Sequence, residues 1–113
     1  MKKTDKKIEN TLVKSLTEVC DTALKDIAGF EWITHVVNFS HFPKSLVIIC
    51  VFDTNESMAN VISCQKDETL RQLIKEKLGS VNIHLNDINE HVVFDTEEAC
   101  QAENRGKWQE RLR

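Results

Sequence analysis

Apolar residues in the first quarter of the chain recur every three or four positions, which is the spacing of one helix face. The stripe consists of Ile8, Leu12, Leu16, Val19, Cys20, Ala23, Leu24 and Ile27. Thr4 or Asp5 suits the N-cap, and Gly29 suits the position just beyond the C-terminus. The pattern predicts an amphipathic helix over residues 5–28 that covers a sheet or another helix.

Two segments rich in β-forming residues follow this helix. Residues 30–39 contain Trp, Ile, Thr and Val, and residues 46–52 are apolar without alternation, which is typical of a central strand covered on both faces. The turn at 40–45 contains Pro43, which cannot donate a ladder hydrogen bond. The short connection predicts an antiparallel hairpin.

A second helical region is predicted over residues 55–78. Asp53 or Thr54 suits its start, and Gly79 suits its end. The apolar stripe weakens at residues 64–66, so the pattern fits either two helices or one kinked helix.

The last third of the chain predicts two short strands and a helix. Residues 81–85 alternate between apolar and polar, which favours an edge strand, and residues 91–94 favour a final strand. A helix is predicted over residues 96–104. The expected fold class is therefore α+β, a two-layer domain over 1–113 in the order α-β-β-α-α-β-β-α, with an antiparallel-rich sheet packed against helices.

The net charge of −3 hides a segregation of charge along the chain. Residues 8–104 carry seven basic and 16 acidic residues, whereas each end carries a net charge of +3. We take as candidate binding residues the members of these ends, namely Lys2, Lys3, Lys6, Lys7, Arg105, Lys107, Trp108, Arg111 and Arg113. Basic ends can hold phosphate backbones, but short basic termini are also common as flexible, solubilising segments. Trp108 and Leu112 are the apolar residues of this basic tail, and they either pack back on the domain or form part of a contact surface.

One short motif occurs twice. Val51-Phe52-Asp53-Thr54 returns as Val93-Phe94-Asp95-Thr96, each time where a strand is predicted to give way to a helix. If the two strands are parallel neighbours, both Asp carboxylates reach one sheet edge and could bind Mg²⁺. The alternative is that each Asp or Thr caps its own helix, which needs these residue types at this place.

The four cysteines, Cys20, Cys50, Cys64 and Cys100, are widely spaced and fit small buried apolar residues better than a zinc site. No apolar core follows Met1-Lys2-Lys3, so no secretion signal is predicted and we expect a cytoplasmic protein. No apolar stretch is long enough to span a membrane. No cofactor is implied.

Sequence motifs for catalysis are missing: G-x-S-x-G, H-E-x-x-H and the P-loop do not occur. The order of elements is similar to that of type II KH domains, which would imply RNA or DNA binding, although their G-x-x-G clamp is absent. Arg71, Lys75 and Lys77 form a small basic cluster among acidic residues, a mixture typical of a solvated helix face.

The chain also resembles a small gamma-proteobacterial family whose members are often labelled Fis-like transcriptional regulators. The resemblance lies in Lys44-Ser45-Leu46, Cys50-Val51-Phe52-Asp53-Thr54, the segment Phe94 to Cys100, and Glu103 to Trp108. It implies a role in transcription. Fis itself is all-helical with a C-terminal helix-turn-helix, which needs two helices at a tight turn. Only 19 residues follow Phe94 here, so no DNA-reading residue is transferred.

These observations favour a non-enzymatic binding or adaptor module whose partner is a protein. Weak, sequence-independent binding of RNA or DNA is the alternative. A metal-dependent enzyme that uses Asp53 and Asp95 is the third hypothesis.

Overall fold

The computed structural model describes residues 2–112, and its mixed α and β content confirms the expected fold class. In chain order the elements are α1 (Lys3–Asp26), β1 (Phe30–Val36), β2 (Val47–Phe52), α2 (Asn55–Ser63), α3 (Lys66–Gly79), α4 (Ile88–His91), β3 (Val92–Thr96), α5 (Glu97–Asn104) and α6 (Trp108–Arg111). A single 3₁₀ turn, Phe39–His41, lies in the β1–β2 connection.

The sheet has the order β1-β2-β3, so the apolar strand β2 is central, as its sequence predicts. β1 and β2 pair antiparallel, and a bulge between Phe30 and Trp32 interrupts their register. β2 and β3 pair parallel, joined by a crossover through α2 and α3. The described sheet is therefore mixed, whereas the sequence favoured an antiparallel-rich one.

The inner face of the sheet holds the core. Ile48, Cys50 and Phe52 of β2 belong to one buried cluster with apolar residues of α1, α2 and α3. The T-shaped contact between the Phe30 and Phe52 rings closes this cluster at one end. Burial on this face accounts for the long apolar stripe of α1, because Leu12, Leu16, Val19 and Ala23 all point into it.

Helices α2 and α3 are separate, which settles the alternative left open by the sequence. Gln65 adopts a left-handed conformation with φ of 61° between them and so cannot continue either helix. The break lies within the segment where the apolar stripe weakens.

The predicted edge strand at 81–85 is wrong. Val81 and Asn82 form a turn that ends α3, where the Ile83 N–H donates to the Leu78 carbonyl at 2.8 Å. Ile83 and Leu85 are buried in the core cluster although their backbone joins no strand of the described sheet. The apolar and polar residues alternate here because a loop buries two of its side chains. A half-buried strand would produce the same sequence pattern.

The segment after this loop also differs from expectation. The turn predicted at 86–89 becomes the short helix α4, which Asp87 caps by accepting from the Asn89 N–H at 3.1 Å. β3 starts at Val92 and extends to Thr96, two residues beyond the predicted end. Because the strand is longer than predicted, Asp95 lies within the sheet, paired with Val51 of β2.

Candidate binding surfaces

The two Val-Phe-Asp-Thr motifs lie at the ends of neighbouring parallel strands, as the repeat suggested. Their register is offset, because Asp95 pairs with Val51 inside the sheet whereas Asp53 follows the end of β2. In each copy the Asp carboxylate accepts from the next Thr N–H, at 2.7 Å for Thr54 and 2.8 Å for Thr96. Each copy therefore builds the same local turn.

Both threonines are N-caps. The Thr54 hydroxyl accepts from the Ser57 N–H at 3.0 Å at the start of α2, and the Thr96 hydroxyl accepts from the Ala99 N–H at 2.9 Å at the start of α5. A capping hydroxyl satisfies one of the backbone donors that a helix leaves free. The repeated motif is thus explained by helix capping.

The two capped helix starts also hold each other. The Thr96 hydroxyl donates to the Asn55 side-chain oxygen at 2.6 Å, and the Asn55 N–H donates to Glu98 at 2.8 Å. The Glu98 N–H in turn donates to the Asp53 carbonyl at 3.1 Å. These bonds fix the N-termini of α2 and α5 side by side, at the edge where a metal pair was the alternative.

Asp53 and Asp95 face different partners. Hydrogen bonds from the Ser57 hydroxyl and the Thr54 N–H hold the pKa of Asp53 below its ordinary value. A side chain at Gly29, where φ is +86°, would come within 2.5 Å of Ser57 Cβ, so this turn packs closely.

Among the described residues no group of three or more His, Cys, Asp or Glu side chains is placed to hold a metal ion.

Asp95 is bound by the C-terminal tail. Arg111 donates to both of its carboxylate oxygens, at 2.6 and 2.9 Å, and also reaches Glu103 and Asn104. The hydrogen bonds to Asp95 raise the pKa of Arg111 above its ordinary value. Two-point contacts of this kind are the strongest that a guanidinium makes.

A second contact holds the same tail. One carboxylate oxygen of Glu97 accepts from the Trp32 Nε1–H at 2.6 Å and from the Trp108 Nε1–H at 3.1 Å. The two indole rings meet edge to face, with centroids 4.8 Å apart. We call the set Trp32, Asp95, Glu97, Trp108 and Arg111 the tail clasp. It places α6 against the outer face of the sheet, opposite the core.

The outer face continues beyond the tail clasp as an apolar surface. Two cross-strand rows make it up: Thr34, Ile49 and Val93 in one, and Val36 with Val47 in the next. We call these five residues the open face. Ile49 is only 3% exposed, but the edge-strand valines Val93, beside Ile49, and Val36, beside Val47, are 43% and 45% exposed. All five are β-branched and none carries a charge.

The basic residues predicted for binding fall into two separate places. Lys3, Lys6 and Lys7 lie on α1, directly after Lys2, at the end of the sheet where Glu9 contacts His35. The tail residues lie at the opposite end, where Trp32 contacts Trp108. Lys2, Lys3, Lys6, Lys7, Arg105 and Lys107 are exposed, whereas Trp108 and Arg111 are partly covered; Arg113 lies outside the described residues.

The basic cluster of α3 is engaged within the domain. Arg71 pairs with Asp67 four residues earlier, at 2.7 Å, and its guanidinium lies 4.8 Å from the centre of the Phe94 ring. Lys77 pairs with Glu18 of α1 at 3.5 Å. The pairing four residues apart agrees with the prediction, but Arg71 and Asp67 are only 18% and 12% exposed, so this pair is largely buried rather than solvated.

The cysteines are all free, and Cys50 and Cys100 are buried as expected. Cys64 differs, because it lies exposed at the end of α2. Burial raises the pKa of the Cys50 thiol.

The sequence pointed to single residues of the tail clasp but not to their pairing. Trp108 and Arg111 are three residues apart, a spacing that places both on one face of a short helix and was the available signal. For Asp95 the sequence indicates a helix start or a metal ligand, and for Glu97 only a helix start, so neither indicates a contact with the tail.

Comparison with models of protein families, with curated proteins and with solved structures gives no match for this chain. The resemblance to Fis-like regulators therefore stays a prediction. No helix in residues 2–112 combines the length and apolar character that a membrane crossing requires.

Proposed function

We propose that this chain is a non-enzymatic, cytoplasmic binding module that takes a protein partner on its open face. The observation that carries the proposal is the uncharged open face, on which Val93 lies beside Ile49 and Val36 lies beside Val47, with both outer valines more than two-fifths exposed. Contiguous exposed apolar surface is characteristic of interaction sites, whereas singly exposed apolar side chains such as Val13 and Leu24 are ordinary.

The tail clasp supports a protein as the occupant. The neighbouring rows of the same face are covered by the chain's own short helix α6, which contributes a Trp ring and an ion pair to Asp95. An apolar helix or strand of another protein is the matching cover for the rows that remain. Nucleic acid does not suit this face, because none of its five residues carries the positive charge that neutralises a phosphate.

The non-enzymatic part of the proposal rests on the state of the candidate catalytic carboxylates. Asp95 is held at both oxygens by Arg111, and Asp53 accepts hydrogen bonds within its own helix start. Both are engaged in structure rather than presented to a substrate. Four free cysteines agree with a reducing compartment.

The test compares partner capture by the full chain and by V36K/V93K. Lysines on the open face should abolish capture, because an apolar partner would have to bury two charges. The variant V13K/L24K is the matched control, since Val13 and Leu24 are equally exposed on α1. The captured protein is then purified and titrated against all three proteins by calorimetry.

Equal affinity of the open-face and control variants would overturn the proposal. Sedimentation of the chain alone decides whether the occupant is a second copy. If the chain forms a dimer and V36K/V93K disrupts it, the occupant of the open face is a second copy of this chain and not a different protein.

A further inference from the structure

A second surface, independent of the open face, lies on α1. Lys3, Lys7, Asn10 and Lys14 follow one another at spacings of four, three and four residues, so their side chains share one helix face. Lys6 lies beside them. All of these are exposed, and the face is opposite the buried stripe of Leu12 and Leu16. We call Lys3, Lys6, Lys7 and Lys14 the lysine face.

Charge on this part of α1 is segregated by side. The acidic residues within the same turns are Asp5 and Glu9, which the helical period places toward the core side. Glu9 is engaged with His35 at 2.8 Å. Within the described part of the chain, no member of the lysine face has a carboxylate within ion-pair distance. The face therefore presents positive charge without direct ion pairs, and Glu18, four residues after Lys14, pairs with Lys77 instead.

Helix stability does not explain this arrangement. Cations are disfavoured near a helix N-terminus, because the helix dipole places partial positive charge there. Three of the lysines lie within the first five residues of α1, and no side chain caps its start. Lysines in this position lower the stability of the helix, so helix formation does not account for their placement.

We propose that the lysine face binds the sugar-phosphate backbone of a nucleic-acid duplex, without reading its sequence. From Lys3 to Lys14 the helix rises by about 16 Å, which equals the axial rise of roughly five base pairs of duplex. Asn10 lies between the lysines and suits neutral phosphate contacts of the kind that set position without sequence. The exposed surface along this side of α1 consists of Lys, Thr and Asn side chains.

The absence of aromatic rings from this side of α1 favours a duplex over a single strand. Proteins that hold single strands stack bases on aromatic side chains, and none lies among the described residues of this helix face. The acidic body, with its net charge of −9 over residues 8–104, repels the backbone elsewhere and so orients the molecule. Weak binding with a single orientation is the expected result.

The test measures fluorescence anisotropy of the full chain with a labelled duplex DNA of mixed sequence. Contact by four lysines predicts a slope of log affinity against log salt of about −3.6, or a loss of roughly 150-fold between 50 and 200 mM salt. The variant K3Q/K7Q should reduce the size of the slope by about 1.8. The control K25Q/K66Q removes the same charge near the other end of α1 and should leave the slope unchanged.

Three results would overturn the proposal. These are no binding at 50 mM salt, a slope that K3Q/K7Q leaves intact, and tighter binding of single strands than of duplex. If polyglutamate binds as tightly as the duplex, the lysine face binds an acidic protein and not nucleic acid. V36K/V93K should bind the duplex at least as well as the unmodified chain, which separates this result from the test of the open face.

Discussion

Arg111 holds both carboxylate oxygens of Asp95, at 2.6 and 2.9 Å, and thereby joins the last helix of the chain to the edge strand of the sheet. Both side chains are less than one-fifth exposed. The contact converts a tail that reads as a basic terminus into part of the domain.

Removing the guanidinium should destabilise the fold. We expect Arg111→Met to lower the free energy of unfolding by about 2–3 kcal/mol, because Asp95 is left largely buried without its partner. Urea unfolding measures the change. Arg105→Gln, at an exposed position near α6, is the control and should cost under about 0.5 kcal/mol. Equal costs for both variants would show that the tail clasp contributes nothing.

The shared acceptor of the two tryptophans gives an optical test. Glu97→Ala removes the oxygen that both indole N–H groups contact, so α6 should loosen and Trp emission should move to longer wavelength. The chain has two Trp, so the signal reports this contact alone. Glu110→Ala, an exposed change within α6, should leave the spectrum unchanged. An unchanged spectrum in Glu97→Ala would contradict the contact.

The two capping threonines should differ in their effect. Thr54→Ala should cost about 1 kcal/mol, the usual worth of an N-cap. Thr96→Ala should cost more, about 2 kcal/mol, because that hydroxyl is fully buried and also donates to Asn55. Thr17→Ala, on the exposed side of α1, serves as the reference. Equal effects at Thr54 and Thr96 would argue against the link between the two helix starts, which a double-mutant cycle of Thr96 and Asn55 measures directly.

The environment of Asp53 predicts a specific pH dependence. Its pKa in the folded state is lowered by hydrogen bonds to Ser57 and Thr54, so its contribution to stability is present above the ordinary pKa of an Asp. That contribution is lost as the pH falls through the folded-state pKa. Asp53→Asn should therefore lower stability at neutral pH and converge with the unmodified chain in acid. Asp21→Asn, an exposed change on α1, is the matched control for the loss of a charge. Parallel curves for Asp53→Asn and the unmodified chain would contradict the assignment.

Thiol chemistry distinguishes the exposed cysteine from the buried ones. Cys64 should react first with a thiol reagent in the native chain, whereas Cys50 should stay protected until unfolding, since it is buried and its pKa is raised. Mass spectrometry of the labelled peptides gives the order. Cys64→Ser should remove the fast phase, and a fast phase that survives would place the reactive thiol elsewhere.

The sequence predicted the helices and the central strand because each has a local cause. The stripe of α1, the unbroken apolar run of β2 and the Thr caps are all visible within a few residues of one another. The strand predicted over residues 81–85 is wrong for a physical reason. Ile83 and Leu85 are both buried from a loop, and a sequence period of two indicates burial rather than strand pairing.

The candidate surfaces were less predictable, because they depend on contacts between distant segments. Nothing near Trp108 in the sequence indicates that its partner is Glu97, or that Trp32 shares the same oxygen. Likewise Val36 and Val93 become one surface only through the order of the sheet. The basic N-terminal end was recognised from composition, but its alignment into one face requires the helix to begin at Lys3.

The most direct test of the proposed function is methyl NMR of the full chain, titrated with the purified protein that the open-face experiment captures. Methyl signals of Val36, Val47, Ile49 and Val93 should shift together, whereas the exposed Val13 and Val81 on other surfaces should not. Shifts at Val13 or Val81 with an unchanged open face would contradict the account.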